Sequence, residues 1–185
     1  MISPTGRAPV LMDLGSLSSS PTPITSRSHA LQVQDAAAEH CTLPYRAPEL
    51  FDVRVGTTID TAVDIWSLGC TIYACLVGAS PFERRSEETG GSLTMCILGG
   101  DWRFPDEGRK SRQQQPRRTG TGDQQEQGQG ELVLSDGVKD VIRACLKVEP
   151  KERPDVDGLA RMIEEAIKEL PRDEGDVDGD EEGEA

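Results

Sequence analysis

The 185-residue sequence predicts a mainly α-helical lobe, broken by a disordered insertion and ending in a disordered acidic tail. Three observations carry this reading. From Thr61 to Val77 the residues Val63, Ile65, Trp66, Leu68, Ile72, Tyr73, Leu76 and Val77 fall on nearly every side of a helical wheel, the pattern of a helix buried all round. After Ser135 two apolar stripes recur at helical spacing, Val138, Val141, Ile142, Cys145 and Leu146, then Val156, Leu159, Ile163, Ile167 and Leu170. Between these parts, RKSRQQQPRRTGTGDQQEQGQG carries no apolar periodicity at all.

Taken in order, the composition divides the chain into a disordered start over 1–8, a first folded part over 9–102, a low-complexity insertion over 103–131, a pair of terminal helices over 132–171 and a tail over 172–185. Pro9 to Asp13 reads as a short apolar strand, and Gly15 with SLSSSPTPITSRS as a polar loop. LQVQDAAAEH is a short helix candidate leading to Cys41 and Thr42. Thr61 is placed to cap the long helix with Asp64 at the capping-box position, Gly78 to end it, and Pro81 follows. Ser92 to Leu98 allows another short helix. Ser135 and Asp155 stand as N-caps of the last two helices, and Pro171 ends the pattern.

Composition narrows the function classes. The formal charge of −13 is concentrated after Pro171 in DEGDVDGDEEGEA, so it describes the tail rather than a charged face of the lobe. The basic residues Arg109, Lys110, Arg112, Arg117 and Arg118 have no interleaved aromatics, and no nucleic-acid partner is predicted. Aromatic content of 4 % and a mean hydropathy of −0.49 fit one small core. Cys41, Cys70, Cys75, Cys96 and Cys145 form neither a CxxC pair nor an even disulfide set, so reduced thiols and an intracellular, cytoplasmic setting are expected. No apolar run spans a bilayer, and the Met-Ile-Ser-Pro start lacks the glycine that myristoylation requires, so neither a transmembrane segment nor a lipid anchor is expected.

Four short motifs then fall in a definite order: Asp13-Leu14-Gly15, Ala47-Pro48-Glu49, Asp64-Ile65-Trp66-Ser67-Leu68-Gly69, and Arg153-Pro154. This order resembles the C-terminal lobe of a eukaryotic protein kinase. The runs PVLMDLGS, LQVQDAAAEHCTLPYRAPELF and VDIWSLGCTIYA narrow the resemblance to the Numb-associated kinase family, and within it to the myristoylated and palmitoylated serine/threonine kinase branch. Leu14 replaces the usual phenylalanine of the first motif.

The resemblance implies a partial, protein-kinase-like C-terminal lobe that transfers the ATP γ-phosphate to serine or threonine hydroxyls of a protein substrate, with ATP and Mg as cofactors. It makes Asp13 the metal ligand, and it puts Gly15, Thr42, Tyr45 and Arg46 in the activation segment and substrate-docking loop. Ala47, Pro48, Glu49, Asp64, Trp66, Gly69 and Arg153 become structural motif residues, with Glu49 paired to Arg153. LQVQDAAAEH falls where the family carries a helix in its activation segment. Asp64 either caps its own helix or holds the backbone of a catalytic loop, and Thr42 reads equally as an ordinary loop threonine.

The glycine-rich loop, strand lysine and catalytic-loop aspartate of the kinase pattern do not occur here, so the catalytic base is expected upstream and the isolated chain is expected to be inactive. The all-apolar helix, with few elements left to cover it, is also expected to leave part of the lobe surface exposed and open to other proteins. A non-catalytic, pseudokinase-like interaction module or an inactive fragment is the alternative.

Overall fold

The computed structural model describes Met12, Leu14–Glu107 and Leu134–Leu170. The strand expected over Pro9–Asp13, the metal-ligand candidate Asp13, most of the insertion and the acidic tail lie outside these residues. The described chain is mainly helical. A two-residue strand β1 (Thr22–Pro23) precedes α1 (Arg27–His40), and a second, β2 (Thr58–Ile59), precedes α2 (Ala62–Val77). Then come α3 (Pro81–Thr89), α4 (Leu93–Gly99), α5 (Asp136–Cys145) and α6 (Val156–Lys168), with single 3-10 turns at Leu14–Ser16, Leu43–Tyr45, Pro48–Leu50 and Pro150–Glu152.

Helix α2 is the axis of the lobe. Its buried residues are Ile65, Trp66, Gly69, Cys70 and Tyr73. Gly69 sets how closely α5 approaches, because a Cβ there would lie 2.5 Å from Cys145 Cβ and 3.2 Å from Leu146 Cδ2. Trp66 stacks on Phe82 of α3 with centroids 5.2 Å apart and planes 6° from parallel. Tyr73 packs against Phe104 at 5.7 Å, and its hydroxyl donates to the Arg103 carbonyl at 2.8 Å. A second cluster, Ile65, Val141, Cys145, Leu159 and Ala166, joins α2 and α5 to α6. Trp66, Tyr73, Phe82 and Phe104 are the four largest fully buried side chains, which is how a chain poor in aromatics still closes a core.

Several expectations are corrected. The all-round burial that the wheel pattern suggests for α2 fails on one face, where Asp64, Leu68, Thr71, Cys75 and Leu76 are exposed, in keeping with the shortage of elements left to cover this helix. Thr61 does not cap α2 with its side chain, because its own backbone is already helical at φ −62°, ψ −10°. Asp60 Oδ1 accepts the Ala62 N–H at 3.0 Å in its place. Gly78 does end α2, in the left-handed conformation at φ 89°. The low-complexity insertion begins later than composition suggests. Phe104 is fully buried, Lys139 and Arg143 lie over its ring at 5.9 and 5.3 Å, and Glu107 accepts the Phe104 N–H.

Three further differences concern element limits. The polar stretch 16–28 is not all loop. Ile24 is 2 % exposed, its N–H donates to the Thr57 carbonyl, and Ser26 Oγ accepts the His29 N–H to start α1 four residues before Leu31. Helix α3, which sequence periodicity did not indicate, is started by Ser80 Oγ accepting from Glu83 N–H, with Pro81 in its first turn. Along α6 the buried stripe is Leu159, Met162, Ile163 and Ala166, leaving Val156, Ile167 and Leu170 exposed. Ser135 and Asp155 cap α5 and α6 through Val138 N–H and Gly158 N–H.

Candidate functional site

The residues between α1 and α2 form a ledge along one side of the lobe, and one buried arginine fastens that ledge. Glu49 lies in the 3-10 turn Pro48–Leu50, and Arg153 follows the turn Pro150–Glu152. The Arg153 guanidinium is bidentate to Glu49, NH1 to Oε1 at 2.7 Å and NH2 to Oε2 at 2.8 Å. Its remaining donors reach Lys147 O from Nε, Ala62 O from NH1 and Val148 O from NH2, at 2.8, 2.8 and 3.1 Å. All five N–H donors are thereby used. The cation also lies 4.9 Å from the Trp66 ring centroid. The Arg153 side chain is 0 % exposed and that of Glu49 17 %, so the pair works in a poorly solvated setting where geometry decides its value.

The other sequence-selected residues are distributed as follows. Ala47 and Pro48 are buried under this clamp, and Trp66 and Gly69 lie on the buried side of α2. Gly15 sits in an exposed 3-10 turn. Thr42 is exposed at the start of the turn Leu43–Tyr45, where its carbonyl accepts the Tyr45 N–H. Ser67 of α2 donates to the Tyr45 carbonyl at 3.0 Å, which ties that turn to the helix. Burial and then the charge of Glu83 push the Tyr45 phenol above its ordinary pKa. Asp64 is exposed in the first turn of α2 and makes no side-chain cap bond there, so the capping reading is not what the structure displays. Cys41 is half-buried between the charges of Arg46 and Asp64. Burial raises its thiol pKa, and Arg46 opposes that rise.

Three of the thiols, Cys70, Cys96 and Cys145, are core groups. All five cysteines are free, and burial pushes Cys70 up to about 12 and Cys145 to about 11, which keeps both neutral. Among the described residues no group of three His, Cys, Asp or Glu is placed to hold a metal ion. No single described helix is long and apolar enough to cross a membrane.

A helical lobe built on a buried Asp-Ile-Trp-Ser-Leu-Gly helix, with an Ala-Pro-Glu turn clamped to a distant arginine, defines the C-terminal lobe of a protein kinase. The chain matches the protein kinase domain family over residues 15–165, and it belongs to that family. It is 38 % identical over 145 residues to serine/threonine-protein kinase ppk13 of Schizosaccharomyces pombe, covering 78 % of this chain and 35 % of that protein. It is 36 % identical over 154 residues to serine/threonine-protein kinase ENV7 of Saccharomyces cerevisiae, covering 83 % and 36 %. To human serine/threonine-protein kinase 16 it is 32 % identical over 148 residues, covering 80 % and 40 %. The chain therefore spans little more than a third of the length of these relatives. Kinases of this family use ATP and magnesium in general.

One of the sequence-selected residues carries more structure than its sequence context suggests. Arg46 NH2 donates to the Cys41 carbonyl at 2.9 Å and to the Ala38 carbonyl at 3.3 Å, while the guanidinium lies 5.3 Å from the Phe51 ring centroid. The only sequence signal for this is a cation shortly after the C-terminus of a helix.

Proposed function

We propose that this chain is the substrate-side lobe of a serine/threonine protein kinase that transfers the ATP γ-phosphate to protein hydroxyls. The observation that carries the reading is the Glu49–Arg153 clamp, which fixes the activation-segment ledge to α2 and to the turn before α6. In this reading Thr42, Tyr45 and Arg46 belong to the docking loop that presents the acceptor hydroxyl. Ala47, Pro48, Glu49, Trp66, Gly69 and Arg153 hold that loop in place, and Asp64 is left available to a catalytic loop. Asp13 and Gly15 belong to the metal-binding motif, and the catalytic base is supplied from outside this chain. Asp13 would hold magnesium, which would supply positive charge against the charge developing on the transferred phosphate.

The finer assignment to the Numb-associated family is supported by α1, a helix of 14 residues lying between Gly15 and the Ala47-Pro48-Glu49 turn. A protein substrate, a cytoplasmic setting and further protein contacts across the exposed α2 face complete the proposal.

The test is phosphotransfer by the native full-length protein from γ-labelled ATP with magnesium, followed by phosphoamino-acid analysis. Label on serine or threonine is expected, with loss of label in Asp13→Asn. A protein that is folded, binds no nucleotide and transfers no phosphate would leave the non-catalytic interaction module as the reading.

A further inference from the structure

We infer that Arg46 is a positioning residue for the docking loop: it clasps the last turn of α1, so that α1 and residues 41–46 move as one body. The inference rests on the kinase reading for its functional consequence, and on geometry alone for the clasp itself.

Helix α1 is thinly attached along its length. Only Ala30 and Ala37 are buried on it, with Val33 half-buried beside them, and two alanines offer little apolar area to hold a helix of 14 residues. Its N-terminal end is anchored through Ile24 and Val53. At the other end Cys41 N–H serves the Ala37 carbonyl, the carbonyls after it have no helical partners of their own, and a cation placed there is favoured by the helix dipole. Arg46 occupies that place. One nitrogen, NH2, serves both Ala38 O and Cys41 O, so a single group bridges the helix to the first residue beyond it.

The loop is closed from the same residue. The Arg46 N–H donates to the Leu43 carbonyl at 3.2 Å, and the neighbouring Tyr45 carbonyl accepts from Ser67 of α2. Arg46 thus joins three things: the last turn of α1, the turn Leu43–Tyr45 and, through Phe51, the turn that leads away from Glu49. The clasp is not costless, since Arg46 Nε is buried with no partner among the described residues. A guanidinium that leaves a buried donor unused is held by where its other edge must reach. Lysine reproduces this arrangement only in part, because an ammonium has donors for the two carbonyls but lacks the flat face that lies on Phe51.

The experiment compares Arg46→Met and Arg46→Lys with the wild type in the native full-length protein. Arg46→Met is expected to raise KM for the protein substrate about tenfold, the ratio corresponding to loss of one charge-assisted hydrogen bond, with KM for ATP and Tm little changed. Arg46→Lys is expected to recover part of that loss. An unchanged protein-substrate KM overturns the inference, and so does a parallel change in ATP KM and Tm, which marks a general structural role. Hydrogen exchange decides the clasp independently of activity. Amides of residues 38–46 should exchange about tenfold faster in Arg46→Met while α5 and α6 keep their protection. Unchanged exchange over 38–46 refutes the clasp. If the wild-type protein transfers no phosphate, the kinase reading falls, and the exchange result alone determines whether Arg46 holds α1.

Discussion

Two regions of this molecule are held by different means. The lobe formed by α2, α3, α4, α5 and α6 is closed by large side chains, with Trp66, Tyr73, Phe82 and Phe104 all fully buried. The segment from Thr22 to Ile59 is closed by small ones, chiefly Ile24, Ala30 and Val53, plus two short strands paired at Thr22–Ile59 and Pro23–Thr58. The lobe gains its stability from apolar area, whereas the segment depends on a few hydrogen bonds and two arginines placed at its joints. Such a division would suit the proposed role, in which a firm base carries a surface that presents and releases a substrate.

The sharpest way to break the contrast is at the joint the two regions share. Arg153→Met removes the cation from Glu49 and should cost about 3–5 kcal/mol, measured by urea unfolding, because a half-buried carboxylate and three backbone carbonyls lose their partner. Ile24→Ala should act on the segment alone. Truncating a side chain only 2 % exposed costs about 2–5 kcal/mol, and hydrogen exchange should place that loss in residues 22–40 with α5 and α6 unaffected. Equal exchange in both regions would show that they unfold together, and the contrast would fail.

Gly69→Ala tests the lobe in the opposite sense, by overpacking. The added methyl meets Cys145 Cβ at 2.5 Å, so α2 and α5 must separate, at about 1–3 kcal/mol, read as a lower Tm. Ser26→Ala removes the side-chain cap of α1 and should cost about 1 kcal/mol, visible as faster exchange at the start of α1 and little change in global unfolding.

The smallest effect is on pH dependence. The Lys139 hydrogen bond lowers the Asp106 pKa, burial opposes it, and the Lys139 charge adds a smaller lowering. A folded-state pKa below the unfolded value adds stability that is present above the ordinary carboxyl pKa of 3.8 and is lost as pH falls through and below it. Lys139→Met should flatten that part of a stability-against-pH curve. A curve identical to wild type would remove Asp106 from the acid response.

Much of the lobe is legible in the sequence, because each readable element advertises itself locally. Gly78 follows an apolar run, Ser135 and Asp155 precede periodic stripes, and Glu49 and Arg153 sit inside short motifs whose order is itself informative. What escapes depends on distant partners. Helix α3 is hidden because PFERRSEET has a single large apolar residue, Phe82, whose meaning comes from Trp66. Trp102 and Phe104 are obscured by the low-complexity sequence that follows them, although they pack against Tyr73. The exposed face of α2 escapes because periodicity counts apolar residues and cannot say which of them find a neighbour, so Leu68 and Leu76 read the same as Ile65. At the site, the grip of Arg46 on α1 is signalled only by a cation shortly after a helix end, since the carbonyls it holds belong to whatever helix happens to precede it.

The distance along the chain between Glu49 and Arg153, 104 residues, also sets a timetable for synthesis. At ordinary translation speeds Glu49 leaves the ribosome roughly 5–20 s before its counter-ion. Through that interval the Ala-Pro-Glu turn has no arginine to close on, and the Trp66 ring has no cation above it. A nascent chain at this stage offers Trp66 and its neighbours to chaperones, and any message that stops short of Arg153 leaves it in that state for good.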